Sequence, residues 1–392
     1  MISFAWGCRY YAFRAPLNST FMTEATENNP TSFREGARAL AIVMAEAIEA
    51  LDGAFRRLDE GSMWKLQSDL GPLDHGLNEA LKVLIEVACD ERFLPIREQL
   101  ISGAEVVLEA LGAFTRAASR DQRSGNVLQS MRSFARGQEL LYSLRSLHPR
   151  LGQLFAEPAI FDRLDSLDEH RSSKSTGIRR SGPDDDPDSR GEFHLYVPES
   201  LDGSEPRPLV VALHGGMGYG RDFLWTWLRE ARSRRFVLLA PTSVGPTWAL
   251  MGPDADRERL MRSIEFVSEV CNIDGERIFL TGLSDGGTYG MSTYLSGATP
   301  FAALAVVAGV LHPKNIQEGA IVGAEGKRIS ITHGAKDWMF PVQFARAAYE
   351  ALGEAGADVR YQEIADLAHA YPREENPAIL EWFDPTLAIT ES

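Results

Sequence analysis

Apolar residues in the first 160 positions recur with a helical period. Phe33, Ala37, Leu40, Ala41, Met44, Ala47, Ile48, Leu51, Phe55 and Leu58 follow one another at spacings of three and four. That spacing marks one face of a long amphipathic helix. Leu81, Leu84, Ile85 and Ala88 predict a second helix, the apolar positions of 95–118 a third, and those of 127–147, closed by His148-Pro149, a fourth. No strand-like alternation interrupts them. Positions 31–164 therefore read as an all-α domain, preceded by a flexible N-terminal segment over 1–30.

The pattern then changes twice. Positions 165–191 run DSLDEHRSSKSTGIRRSGPDDDPDSRG, with Leu167 and Ile178 the large apolar residues. Such a stretch buries too little surface to offset its ordering entropy, so it reads as a polar linker or a strap laid across the surface. From 192 to 392, short β-rich runs alternate with helical patterns. Strands are predicted at 193–197, 209–213, 236–240, 277–281, 302–308, 329–332 and 359–364, and helices at 222–233, 255–271, from 285, at 342–355 and at 376–383. This alternation specifies the α/β class: a mostly parallel sheet flanked by helices, with ligands held at the carboxyl ends of the strands.

Composition narrows the function classes. The 392 residues carry 40 basic and 55 acidic side chains, a formal charge of −15. That balance argues against nucleic acid, whose phosphates need a basic face, and against a purely electrostatic grip on an anionic membrane. Cys8, Cys89 and Cys271 are far apart and form no CxxC pair, so neither a zinc site nor a disulfide framework follows. Each reads as a small hydrophobe, and a cytoplasmic location is the simplest expectation. No run approaches the ~20 apolar residues of a membrane span. The first 21 positions lack the apolar core of a secretory signal, and Met22 offers an alternative translation start.

The chemistry concentrates after the strands. Gly282-Leu283-Ser284-Asp285-Gly286 follows the apolar run at 277–281 and precedes a helical stretch. This is the strand–turn–helix setting of a G-x-S-x-G nucleophile elbow, whose tight turn crowds positions 282 and 286 until glycine alone fits. Ser284 needs a base to take its proton. His369, in the small polar loop Asp366-Leu367-Ala368-His369, is favoured over His333 at a strand end, in the chain order nucleophile, acid, base. Asp337 is the preferred acid, with Asp366 its rival. Leu213-His214-Gly215-Gly216-Met217-Gly218 matches a loop that supplies an oxyanion N–H. Gly216 is the first choice of donor there and Met217 the alternative, with the Asp285 N–H as second donor. His214 reads as structural. Trp248, Met251, Trp338, Met339 and Phe340 lie on loops at the same end of the sheet, with Trp248, Trp338 and Met339 the candidates for walling a substrate pocket.

Taken in order, HGGMG, GLSDGG, GAKDWMFP and LAHAYPREENPAILEWF make residues 192–385 resemble the phospholipase/carboxylesterase branch of the α/β-hydrolase superfamily, with neighbouring feruloyl-esterase and polyhydroxyalkanoate-depolymerase types. The resemblance implies a serine hydrolase without metal or cofactor. It gives Ser284 the role of nucleophile, Asp337 acid, His369 base, and Gly216 and Asp285 oxyanion donors. It departs at Asp285, where small carboxylesterases of this type usually carry Gln, and in the His-Ala-Tyr-Pro loop.

The expected activity is hydrolysis of a small-molecule carboxylic ester through an acyl-enzyme. An acyltransferase or peptidase would use the same groups, and a hydrolase-like binding protein is the alternative of another class. The helical half resembles no family, and a lid, a partner-docking surface or a homo-oligomer interface are the roles open to it.

Overall fold

The computed structural model describes residues 9–10, 30–59, 61–116, 120–170, 173, 175–183, 186 and 189–389. Of the segment 1–30, Arg9, Tyr10 and Pro30 are described, so Cys8, Met22 and the expected flexibility lie outside the described residues. The chain forms two compact units that divide between Leu164 and Asp165.

The first unit holds helices α1 (Pro30–Arg56), α2 (Met63–Glu86), α3 (Leu94–Thr115), α4 (Arg120–Ser143) and α5 (Pro149–Gln153). α1 buries Leu40, Met44, Ile48, Leu51 and Phe55, and Phe55 meets Phe114 and Phe134 edge-on. α2 is far longer than the sequence pattern suggests. Gly71, Pro72 and Gly76 blur its period, but Pro72 sits on the exposed side of the helix. Burial of Leu66, Leu70, Leu77, Leu81 and Leu84 carries the helix through the proline's missing hydrogen bond.

The second unit is built on a nine-stranded sheet: β1 (Arg9–Tyr10), β2 (Gly177–Arg180), β3 (Phe193–Val197), β4 (Arg207–Leu213), β5 (Val237–Pro241), β6 (Ile273–Leu283), β7 (Ala303–Val307), β8 (Arg328–Gly334) and β9 (Asp358–Ile364). Their spatial order is β1-β2-β3-β5-β4-β6-β7-β8-β9. From β5 to β9 all neighbours are parallel, while β1, β2 and β3 add antiparallel pairs at the other edge. β2 corrects the reading of 165–191 as linker. It is an edge-region strand, and Ile178 and Arg180 alternate inward against β3. One apolar side chain suffices there because backbone pairing, not a core face, defines the strand.

Alternate residues of each strand serve opposite faces. On one face Val211, Leu280, Val306 and Ile331 pack with Leu260, Ile264 and Val267 of α7 (Ala255–Val270), Tyr289 and Met291 of α8 (Asp285–Leu295), and Ala345 and Leu352 of α10 (Gln343–Glu354). On the other face Phe279 stacks on Phe383 of α11 (Asn376–Phe383) and meets Trp227 of α6 (Gly220–Arg234) edge-on. The short α9 (Pro313–Gln317) follows β7. The chain leaves β4 toward β5 on one side and leaves β6 toward β7 on the other. A crevice therefore opens between the ends of β4 and β6, where an open α/β sheet receives its ligand.

Candidate active site

Ser284 alone joins β6 to α8, with φ 54° and ψ −118°. A non-glycine residue there costs on the order of 1–3 kcal/mol and has to be held by its surroundings. They hold it: the Ser284 N–H donates to the Val307 carbonyl at 2.8 Å, and the Ser284 carbonyl accepts from the Thr288 N–H at 2.9 Å. A Cβ at Gly282 would lie 2.5 Å from the Gly286 carbonyl carbon, and one at Gly286 would lie 2.4 Å from the His214 carbonyl oxygen. The turn is thus too tight for any other residue at either position. The serine side chain ends at the crevice, 6% exposed.

His369 Nε2 lies 3.0 Å from Ser284 Oγ, and His369 Nδ1 lies 2.8 Å from Asp337 Oδ2. Burial pushes the Asp337 carboxyl up, but the His369 hydrogen bond, the Phe340 N–H and the nearby imidazoles of His369 and His333 together hold it below its ordinary value. An ionised carboxylate can only accept. The His369 proton therefore sits on Nδ1, and Nε2 offers its lone pair to the serine hydroxyl. The other carboxylate oxygen of Asp337 accepts from the N–H groups of Met339 at 2.9 Å and Phe340 at 2.8 Å. His333 lies beneath, fully buried, its Nε2 donating to the Phe340 carbonyl at 2.7 Å and standing 3.3 Å from Asp337 Oδ2. It braces the acid and does not approach the serine. Asp366, the rival acid, is exposed.

Across the crevice, His214 Nε2 accepts from the Ser243 N–H at 3.1 Å, so its Nδ1–H donates to the Gly215 carbonyl at 2.6 Å. Burial pushes the His214 imidazole down to about 4, which keeps it neutral as a structural bridge. The Met217 N–H donates to the Pro246 carbonyl at 2.8 Å. That removes Met217 as an oxyanion donor, because its hydrogen is already spent. The Gly216 and Asp285 N–H groups take no partner among the described residues. Asp285 is the first residue of α8, where an N–H is free by construction.

The family model described as Phospholipase/Carboxylesterase matches residues 258–386. Residues 258–386 are thus similar to a phospholipase/carboxylesterase, and the unit that holds them has the mostly parallel sheet and flanking helices of the α/β-hydrolase fold. A probable feruloyl esterase C from Aspergillus terreus is 27% identical over 162 residues, 38% of this chain and 56% of its own length. A bifunctional acetylxylan esterase/xylanase from Neocallimastix patriciarum is 27% identical over 192 residues, 47% of this chain and 27% of its own length. The chain spans about half the length of the feruloyl esterase it matches. Among solved structures, a thermostable esterase is similar with a TM-score of 0.41 at 23% identity, covering 49% of this chain and 58% of its own.

Of the residues expected to wall a pocket, Trp248 instead turns into the core. It is 3% exposed, stacks on Tyr289, and donates its indole N–H to the His214 carbonyl at 2.8 Å. An aromatic residue on a loop gives no sign in sequence of which way it turns, and here the core takes it. Trp338 (61% exposed) and Met339 (47%) stand beside the site, with the Trp338 ring 6.3 Å from that of His369. Phe340 meets the same imidazole edge-on at 5.5 Å. Sequence reasoning missed Thr247, whose hydroxyl donates to Asp285 Oδ2 at 2.6 Å, and Asp256, which accepts from the Val244 and Ala249 N–H groups at 2.7 Å each. No motif marks either residue.

Proposed function

We propose that the protein is a serine carboxylic ester hydrolase. The observation that carries this reading is the continuous relay from Ser284 Oγ through His369 to Asp337, 3.0 and 2.8 Å long, mounted on a strained turn. Ser284 attacks the ester carbonyl while His369 Nε2 takes its proton. The oxyanion forms between the Gly216 and Asp285 N–H groups. Asp337 stabilises the imidazolium, which then protonates the departing alcohol. Water, deprotonated by the same imidazole, attacks the acyl-enzyme, and the acid leaves as Ser284 regains its proton. The esterase activities for which the relatives are named and the exposed Trp338 and Met339 beside His369 support a neutral ester with an apolar or aromatic acyl group.

Ser284→Ala is expected to reduce hydrolysis of p-nitrophenyl butyrate to background, a loss on the order of 10⁶. Its melting temperature should stay close to that of the wild type, since the substitution removes one hydroxyl and leaves the backbone of the turn unchanged. A fluorophosphonate probe should label the wild type and spare the variant. Turnover retained in Ser284→Ala would remove the assignment.

A further inference from the structure

The loop after β4 contains three glycines in Gly215-Gly216-Met217-Gly218 and has little stiffness of its own. Met217 holds φ 60° within it, a conformation that surrounding contacts must impose. Those contacts come from the stretch after β5. Ser243 donates its N–H to His214, the Trp248 indole donates to the His214 carbonyl, and the Pro246 carbonyl accepts from Met217. That stretch is itself anchored from two sides. On one side is the Asp256 carboxylate on α7. On the other is Arg190, at the end of the polar segment that sequence alone marks as linker. Arg190 Nη1 donates to the Gly245 carbonyl at 2.7 Å, to Ser243 Oγ at 3.2 Å and to the Gly218 carbonyl at 3.4 Å. Its guanidinium carbon lies 4.3 Å from the centre of the Tyr219 ring. The backbone next to Arg190 is fixed as well. The Gly191 N–H donates to the Ser243 carbonyl at 3.3 Å, and the Thr242 N–H donates to the Glu192 carbonyl at 2.7 Å.

One guanidinium therefore touches both loops at once. It meets the carbonyl that closes the glycine loop and the carbonyl of the stretch that supports it, while stacking on the residue that opens α6. We propose that Arg190 is a positioning residue of the ester hydrolase, fixing the Gly216 N–H where the oxyanion forms. The inference rests on the hydrolase reading above. All three donations leave from the one nitrogen Nη1 while the guanidinium carbon lies over the Tyr219 ring, and a lysine ammonium can donate but supplies its charge without that planar stack. The oxyanion hole matters most in the transition state, so loosening it lowers kcat and leaves KM nearly unchanged.

Full-length wild type, Arg190→Ala and Arg190→Lys are to be compared on p-nitrophenyl butyrate, with active-site titration to count competent enzyme. Because a misplacement of ~1 Å can cost about 10²-fold, Arg190→Ala should lose about 10- to 100-fold in kcat per competent site, with KM within about twofold. Arg190→Lys should fall between. Fluorophosphonate labelling, in which serine displaces fluoride while the phosphoryl oxygen sits at the same N–H groups, should slow in parallel, and millimolar guanidinium should restore part of the kcat of Arg190→Ala. If Arg190→Ala does not fold, Arg190→Lys carries the test: reduced kcat at unchanged KM and melting temperature supports the proposal. Wild-type kcat per site in the variant that folds overturns it, as does a loss confined to KM. A wild type that neither hydrolyses esters nor takes up the fluorophosphonate overturns the hydrolase reading itself, and the inference with it.

Discussion

Asp285 combines two opposed groups. Its N–H faces the position proposed for the oxyanion, and its carboxylate, held by Thr247 at 2.6 Å, lies so near Gly216 that a Cβ there would be 2.6 Å from Oδ2. A negative charge that close to a developing one raises the barrier, by on the order of 1 kcal/mol in a half-exposed setting. Asp285→Asn keeps the backbone donor and an acceptor for Thr247. It is expected to raise kcat on p-nitrophenyl butyrate about fivefold, and to raise kcat/KM more on the p-nitrophenyl hemiester of succinate, whose free carboxylate the native side chain repels. Steady-state kinetics on both esters, at low and high salt, checks this. A selectivity ratio unchanged by the substitution would show that the carboxylate takes no part in substrate choice. At this scale the arrangement of the candidate site was legible where geometry dictates residue type: Ser284 between its glycines, with a histidine and an acid downstream. It was not legible where the partners are backbone carbonyls. Arg190 reaches glycine carbonyls 28 and 55 positions away, and no side chain in the sequence advertises them.

Among elements, the join of β6 to α8 sets the tolerance of the site. The Cβ clash at Gly286 is with the carbonyls of Leu213 and His214 at the end of β4. α8 therefore begins almost in contact with a neighbouring strand, and an added methyl has to push backbone aside. Gly286→Ala is expected to cost about 2–4 kcal/mol, seen as a lower denaturant midpoint, and to misplace the Asp285 N–H. An unshifted midpoint would mean that β4 and α8 can separate freely. The parallel strands β4 to β8 were legible because each is a dense apolar run buried on both faces. β2 was not, since a strand at the rim needs little apolar surface, and α2 was not, since glycine and proline on its exposed side interrupt the period without interrupting the helix.

The whole molecule answers to pH through groups it buries uncharged. Burial, with Arg221 and Arg180 nearby, pushes His194 on β3 down to about 3, and burial pushes His214 down to about 4. Both titrate lower in the folded chain than the ordinary 6.5 of the unfolded one. As pH falls below 6.5 the unfolded chain takes up these protons first, so stability that is fully present above 6.5 is lost progressively toward pH 3–4. Denaturation midpoints measured from pH 7.5 to 4 should fall along this course, and His194→Leu should flatten it. A slope equal to that of the wild type in this variant would remove His194 as a contributor.

Ser284 stands at the middle of the sheet, but the loop that brings its base hangs from β9, the last strand and a rim strand bound on one side only. Ala335 and Lys336 donate to the carbonyls of Ile364 and Leu367 at 2.9 and 3.0 Å, and Leu367 and Ala368 are buried beside them. Rim strands open before sheet centres do. Opening of β9 alone would therefore carry His369 away from Ser284 and disarm the serine while the rest of the sheet stays closed.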